Sequence, residues 1–138
     1  RCGYNLLNYR NKRFQRIWSG AVMSVSLIQN NTVTPTLAIN AQTGTTYTLA
    51  LTDANNTLVS FGNASSITVT IPPNVFPVGA VVNVIQDGAG QVTFSQGSGV
   101  TINSAGATAT APKLRATYSS GSIICEASNV FYVIGDIQ

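Results

Sequence analysis

Between Ala21 and Ile134 apolar and polar residues alternate in runs of about five, and the runs are separated by Gly, Asn, Pro or Ser. Successive side chains of an extended strand point to opposite sides, so such runs mark strands with one apolar and one polar face. "TTYTLAL" sets Tyr47, Leu49 and Leu51 against Thr46, Thr48 and Ala50. "QVTFS" sets Val92 and Phe94 against Gln91, Thr93 and Ser95, and "VTIN" repeats the pattern with Ile102 beside Val100. Further strands are predicted in "AVMSVSLIQ", "TLAIN", "TLVSF", "SITVTI" and "AVVNVIQ". Three more are predicted near the C-terminus. The first runs through Leu114, Ala116 and Tyr118, and "SSG" and "SN" then separate "SIICE" from its neighbours and lead into "VFYVI".

The intervening residues read as turns. "TDANN" is rich in side chains that initiate turns, and the prolines of residues 72–79 cannot donate within a central strand. The glycines of "DGAGQ" and "GSG" are expected to supply the positive φ that reverses the chain between strands. Short strands about ten residues apart, each followed by a turn signal, predict an all-β fold: an antiparallel β-sandwich or jelly-roll-like module. Helix is confined to residues 4–18, where Leu6, Leu7, Phe14, Ile17 and Trp18 gather on one side at helical spacing, with Arg10 inside the stripe. The expected organisation is a short N-terminal arm over residues 1–22 and a β module over residues 23–138. "VVNVI" and "VFYVI" are apolar on both faces, so one face of each fills the core and the other asks for a partner.

Composition sharpens that point. Only 8% of residues are charged and 44% are hydrophobic, against about a quarter charged in ordinary soluble chains. A surface so poor in charge is expected to be covered by partner subunits. No run approaches the roughly 20 apolar residues of a membrane-spanning helix, so membrane insertion is not expected. The net charge is +3, and Arg1, Arg10, Lys12, Arg13 and Arg16 supply five of the seven basic residues. Arg10, Lys12, Arg13, Arg16 and Trp18 are the candidate docking residues of the arm. Such a cluster suits phosphates, but the body carries no basic patch to extend the footprint, which argues for docking on protein rather than nucleic acid.

Chemistry is sparse. The absence of His excludes Ser-His-Asp and Cys-His triads, and two cysteines without His make no zinc site. Cys2 and Cys125 leave a disulfide open, although the apolar setting of "SIICEAS" favours a buried thiol at Cys125. Asp53 and Asp87 lie in predicted turns, Glu126 ends a strand, and Asp136 closes "GD", so all four acids have structural roles and no catalytic pair is expected. "GAG" and "GSG" are followed by neither Lys nor a helix, which removes a phosphate loop. No cofactor is expected. The candidate contacts for a surface glycan are Phe76, in the proline loop, and Tyr118, beside the "SSG" turn.

From Thr45 to Asp136 the chain resembles a small β module of bacteriophage virion proteins, chiefly tail-fibre and appendage proteins. The resemblance rests on "YTLALTDANNTLVSF", on "SITVTIPPNVFPVGAVVNVIQDGAGQVTF" followed by "GVTIN", and on the ending "LRATYSSGSIICEASNVFYVIGDI". The order of "TIPPN", "FPVG", "QDGAGQVTF" and "GVTIN" is its distinctive part, and it covers about two thirds of the chain. One departure is Phe131, where the module commonly carries Trp. The resemblance implies a non-enzymatic virion structural protein on the particle surface, and a short module of this kind suits capsid decoration as well as a fibre tip. It also implies a homo-oligomer, a trimer, meeting other virion proteins and, as an adhesion module, a host surface glycan.

If the arm attaches the module to the particle, a chain starting at Met23 keeps its β spectrum in far-UV circular dichroism but fails to join particles. Normal incorporation of that shortened chain would remove the arm from the assembly.

Overall fold

The computed structural model describes residues 36–106 and 108–138, and every described strand inside this range follows the alternation in the sequence. The strands are β1 (Ala38–Gln42), β2 (Thr46–Thr48), β3 (Thr57–Phe61), β4 (Ile67–Ile71), β5 (Val81–Gln86), β6 (Val92–Gln96), β7 (Thr101–Ser104), β8 (Ser120–Ala127) and β9 (Val130–Gly135). One 3-10 turn, Leu51–Asp53, is the single helical element among the described residues. The predicted arm, the helix over residues 4–18, the strand "AVMSVSLIQ" and Cys2 lie outside the described residues.

From β1 to β6 consecutive strands do not pair. The chain passes from one sheet to the other and back, so β1, β3 and β5 run parallel in one sheet while β2, β4 and β6 run parallel in the second. The result is a β-solenoid of about three turns, and the expected antiparallel sandwich or jelly roll is wrong. Alternation fixes which side chains point inward, but it does not fix which strand lies alongside. The Gly- and Asn-rich segments taken for hairpin reversals are corners that carry the chain to the opposite sheet. The crossover that parallel strands require is supplied by the strand of that other sheet.

The register shows the repeat. Ala38 lies beside Thr57, Thr46 beside Thr68 and Ile67 beside Val92, so each turn takes roughly 19 to 25 residues. Val69 and Phe94 share one inward file, and Val59 and Val84 share another. Phe61, Phe94, Phe131, Ile67 and Ile123 are fully buried between the two sheets.

The corners explain two glycines. Gly88 and Gly90 are absent from the positive-φ positions, so the expected chain reversal is not their role. A Cβ on Gly90 would collide with the Ser65 carbonyl, and one on Gly88 would collide with the Asn63 backbone. They are glycines because one corner lies directly on the corner of the preceding turn. Gly99 of "GSG" does have the expected positive φ, at 75°, and elsewhere asparagines supply it: Asn55, Asn56, Asn74 and Asn129.

The regular winding ends after β6. β8 and β9 form an antiparallel hairpin whose two-residue turn carries Asn129 at φ 60°. That hairpin lies between β5 and β7, giving the wide sheet the order β1-β3-β5-β8-β9-β7. The strand expected through Leu114, Ala116 and Tyr118 does not form. Leu114 makes one isolated bridge with Ile137, and the chain then turns, with Ser119 N–H donating to the Ala116 carbonyl at 3.0 Å. Tyr118 in that turn has φ 68°, outside strand geometry.

Phe94 touches the core from the middle strand position of the third turn and is fully buried. Replacing it with Ala should cost about 3–5 kcal/mol in a urea unfolding titration, against under about 0.5 kcal/mol for the exposed Thr68→Ala. Equal losses for the two would mean the inward file does not hold the turns together.

Candidate interaction face

The sheet that the hairpin widens has one side in the core and one side outward. Strand alternation puts Val82 and Val84 of β5 inward and Val81 and Ile85 outward, and it puts Phe131 and Val133 of β9 inward with Tyr132 and Ile134 outward. The outward residues line up in register across strands. Ile39, Leu58, Asn83, Ser122 and Ile134 form one row across five strands. Val81, Ile124, Tyr132 and Asn103 form a second. Ile39 is 61% exposed and Ile134 51%.

The polar groups in the first row satisfy each other, with Ser122 Oγ donating to Asn83 Oδ1 at 2.8 Å. Glu126 is the one charged side chain at the margin. Its carboxylate, facing the Tyr132 hydroxyl, raises that phenol above the usual tyrosine value, with a smaller contribution from burial. Ile134 stands as a ridge between two hollows. One, of about 380 Å³, is lined by Asn103, Tyr132 and Ile137, and the other, of about 330 Å³, by Leu58, Asn83 and Ser122.

Gly135 makes this surface possible. It has φ 126°, and a Cβ there would lie 2.6 Å from Gly121 Cα on the neighbouring strand. Asp136 follows it and is held by Arg115, whose Nε and second guanidinium nitrogen donate to the two carboxylate oxygens at 2.7 and 2.8 Å. Ser119 Oγ donates to the same carboxylate at 2.7 Å. These bonds, that of Arg115 first, hold the Asp136 carboxyl below the usual carboxylate range.

The first turn holds a second polar group of residues. The Asn40 amide donates to Tyr47 Oη at 2.9 Å and to Asp53 Oδ1 at 2.7 Å, and the Tyr47 hydroxyl donates to Asp53 Oδ2 at 2.9 Å. The Ala50 N–H donates to Asp53 Oδ2 as well, and Gln42 donates to Asn40 Oδ1. Tyr47 lies edge-on to Phe61 at 5.9 Å, and burial, then the Asp53 hydrogen bond, raises its phenol. Asn40 shares a file with Val59 and Val84, so this network replaces apolar packing at the end of the described core. No buried side-chain nitrogen or oxygen among the described residues lacks a partner, and the bonds of this network run among its own residues, a polar cap on the described core.

In sequence the chain matches no protein-family model and no curated protein. Its surface is therefore read from its own chemistry.

The two glycan candidates separate. Phe76 is 9% exposed and packs edge-on to Phe131 at 6.0 Å, so its ring belongs to the core and offers no stacking surface. Tyr118 is 72% exposed and stands apart from the row of Tyr132. Arg10, Lys12, Arg13, Arg16 and Trp18 lie outside the described residues. Cys125 is a buried thiol within reach of the Phe76 and Ala127 carbonyls, and burial raises its pKa. Among the described residues no cluster of His, Cys, Asp and Glu could hold a metal ion, and no helix is long and apolar enough to cross a membrane. The sequence flagged "VFYVI" as apolar on both faces, but it did not single out Ile134, Gly135 or Asn83. The glycine that closes the strand in "VFYVIGD" was the available signal for Gly135.

Replacing Asp53 with Ala removes the acceptor of the Tyr47 hydroxyl and of the Ala50 N–H, and one of the two acceptors of the Asn40 amide, and should cost about 1–3 kcal/mol in denaturant unfolding. Asp136 generates a pH effect of defined sign. Its folded-state pKa is lowered, so its contribution to stability is present above about pH 4 and is lost as pH falls through the lowered value. Asp136→Asn should flatten that part of the pH–stability profile measured by chemical denaturation. An unchanged slope would remove the Arg115 pairing from the account.

Proposed function

We propose that the chain is a non-enzymatic structural protein of a bacteriophage particle, displayed on the surface as a tail-fibre or appendage module for assembly or host attachment. It works as a homo-oligomer, a trimer by the resemblance of its sequence. The observation that carries this reading is the outer face of the wide sheet, where Ile39, Leu58 and Ile134 stand in one row with the bonded pair Asn83 and Ser122 across five strands, and Val81, Ile124 and Tyr132 stand in the next. A face of that kind suits a stable protein contact better than it suits a substrate.

The motifs behind the resemblance fall together in the fold. "TIPPN" closes β4, "FPVG" leads into β5, "QDGAGQVTF" makes a corner and β6, and "GVTIN" forms β7. They build the later turns and the strand beside the hairpin, the region that presents the face. The carboxylates also fit a structural reading. Asp53 belongs to the cap, Asp136 to the Arg115 bond, and Glu126 to Tyr132.

An antibody against the protein, viewed on particles by electron microscopy, should mark tail fibres or appendages. Label over the head would make the protein a capsid decoration protein, and particles without label would overturn the virion reading. Purified protein should leave capsule and lipopolysaccharide uncleaved. Cleavage that disappears in Glu126→Gln would overturn the non-enzymatic reading.

A further inference from the structure

We infer that the outer face of the six-stranded sheet is where a second copy of this chain packs, with the Ile134 ridge of one copy seated in a hollow of the other. The inference rests on the structural reading above and supplies what that reading leaves open, the surface and residues of self-contact. Three observations carry it.

The first is size. Six strands at about 4.8 Å spacing and about six residues at about 3.3 Å each make a surface of roughly 30 by 20 Å, or about 600 Å² per copy. Two such faces together hide about 1,200 Å², the lower bound of a specific, stable protein interface. A small ligand would cover a fraction of this, whereas a copy of the sheet matches it edge to edge.

The second is charge. The rows across the face contain no Lys or Arg, and Asn83 and Ser122 at its centre already bond to each other. A partner recognised by opposite charge would find nothing to pair with here. An identical sheet brings the same bonded Asn83–Ser122 pair, and no Lys or Arg, to the contact.

The third is relief. Ile134 projects between hollows of about 380 and 330 Å³ and lines both of them. A surface that carries ridge and hollow side by side can serve as its own complement, the ridge of one copy entering a hollow of the next, and head-to-tail contacts of this kind close into a ring of the proposed three copies. Stacked sheet faces interdigitate in this way at about 10 Å separation.

The test is the mass of the full chain by light scattering at micromolar concentration. Wild type should scatter as a multiple of the single-chain mass. Ile134→Asp should scatter as one chain with its far-UV circular dichroism unchanged, because Ile134 points away from the core. Thr68→Asp places the same charge on the exposed side of the other sheet and should keep the assembly. If Ile134→Asp loses its β spectrum, the test passes to Ile134→Ser, whose assembly should dissociate at about tenfold higher concentration. A wild-type chain that scatters as one copy overturns the inference and gives the face to another occupant. An assembly indifferent to both Ile134 substitutions overturns it as well. Mass is read on isolated protein and location on particles, so this inference can fail while the virion reading stands, and the reverse.

Discussion

Each turn of the chain has to lie on the previous one at the spacing of neighbouring β-strands, about 4.8 Å, along the strands and around the corners. Parallel hydrogen bonding meets that requirement along the strands, since every turn supplies one strand to each sheet. Around the corners it leaves no room for side chains between stacked backbones. Gly88 and Gly90 answer that demand above Asn63 and Ser65. Inside, it brings residues of successive turns into contact in files, which is why Val59 lies beside Val84 and Val69 beside Phe94. Apolar side chains suit these files because each then buries its surface against the turn on either side.

The two ends of the described core differ in chemistry. The first described turn replaces apolar residues with Asn40, Gln42, Tyr47 and Asp53, whose hydrogen bonds close on one another. The other end is handled differently. The β8–β9 hairpin covers the third turn with antiparallel pairing, and β7 then pairs with β9 in the direction it would have taken in a fourth turn. One sheet therefore has six strands and the other three, and this inequality creates the broad outer face. The backbone at Gly121 and Gly135, together with the Arg115–Asp136 bond, fixes the hairpin and the chain end against that sheet.

The two outward surfaces differ in character. The three-stranded sheet presents Thr46, Thr68 and Thr93 in one row and Thr48, Thr70 and Ser95 in the next. Thr70 and Ser95 hydrogen-bond at 3.2 Å, so these hydroxyls serve cross-strand pairing on a surface that water can wet. The six-stranded sheet presents Ile39, Leu58, Ile124 and Ile134 at corresponding outward positions. Among residues 36–138 there are only six charged side chains, so the molecule distinguishes its faces by hydroxyl against hydrocarbon rather than by charge.

The sequence by itself determined most of the strands, the loop over residues 72–79 and the inward or outward side of most strand residues, although the strand through Leu114, Ala116 and Tyr118 does not form and "TTYTLAL" keeps only Thr46–Thr48, with Leu51 exposed. Those properties follow from the alternation of side chains along one extended segment. The shortage of charge and the double apolar pattern of "VVNVI" and "VFYVI" were equally legible, because composition and period are local quantities. Only the tertiary structure decided which strand lies beside which. Alternation is identical in an antiparallel sandwich and in a parallel coil, and a Gly- or Asn-rich segment can reverse a chain or carry it around a corner. The repeat of roughly 19 to 25 residues was present in the sequence, as in Thr46, Thr68 and Thr93, but its uneven length hid it from a search for strands alone. The burial of Phe76 against Phe131 and the bond between Asp136 and Arg115 join residues distant in sequence, so no local pattern carries them. The ridge at Ile134 belongs to the same class: its chemistry is that of any isoleucine, and its position between two hollows exists only once β9 lies between β8 and β7.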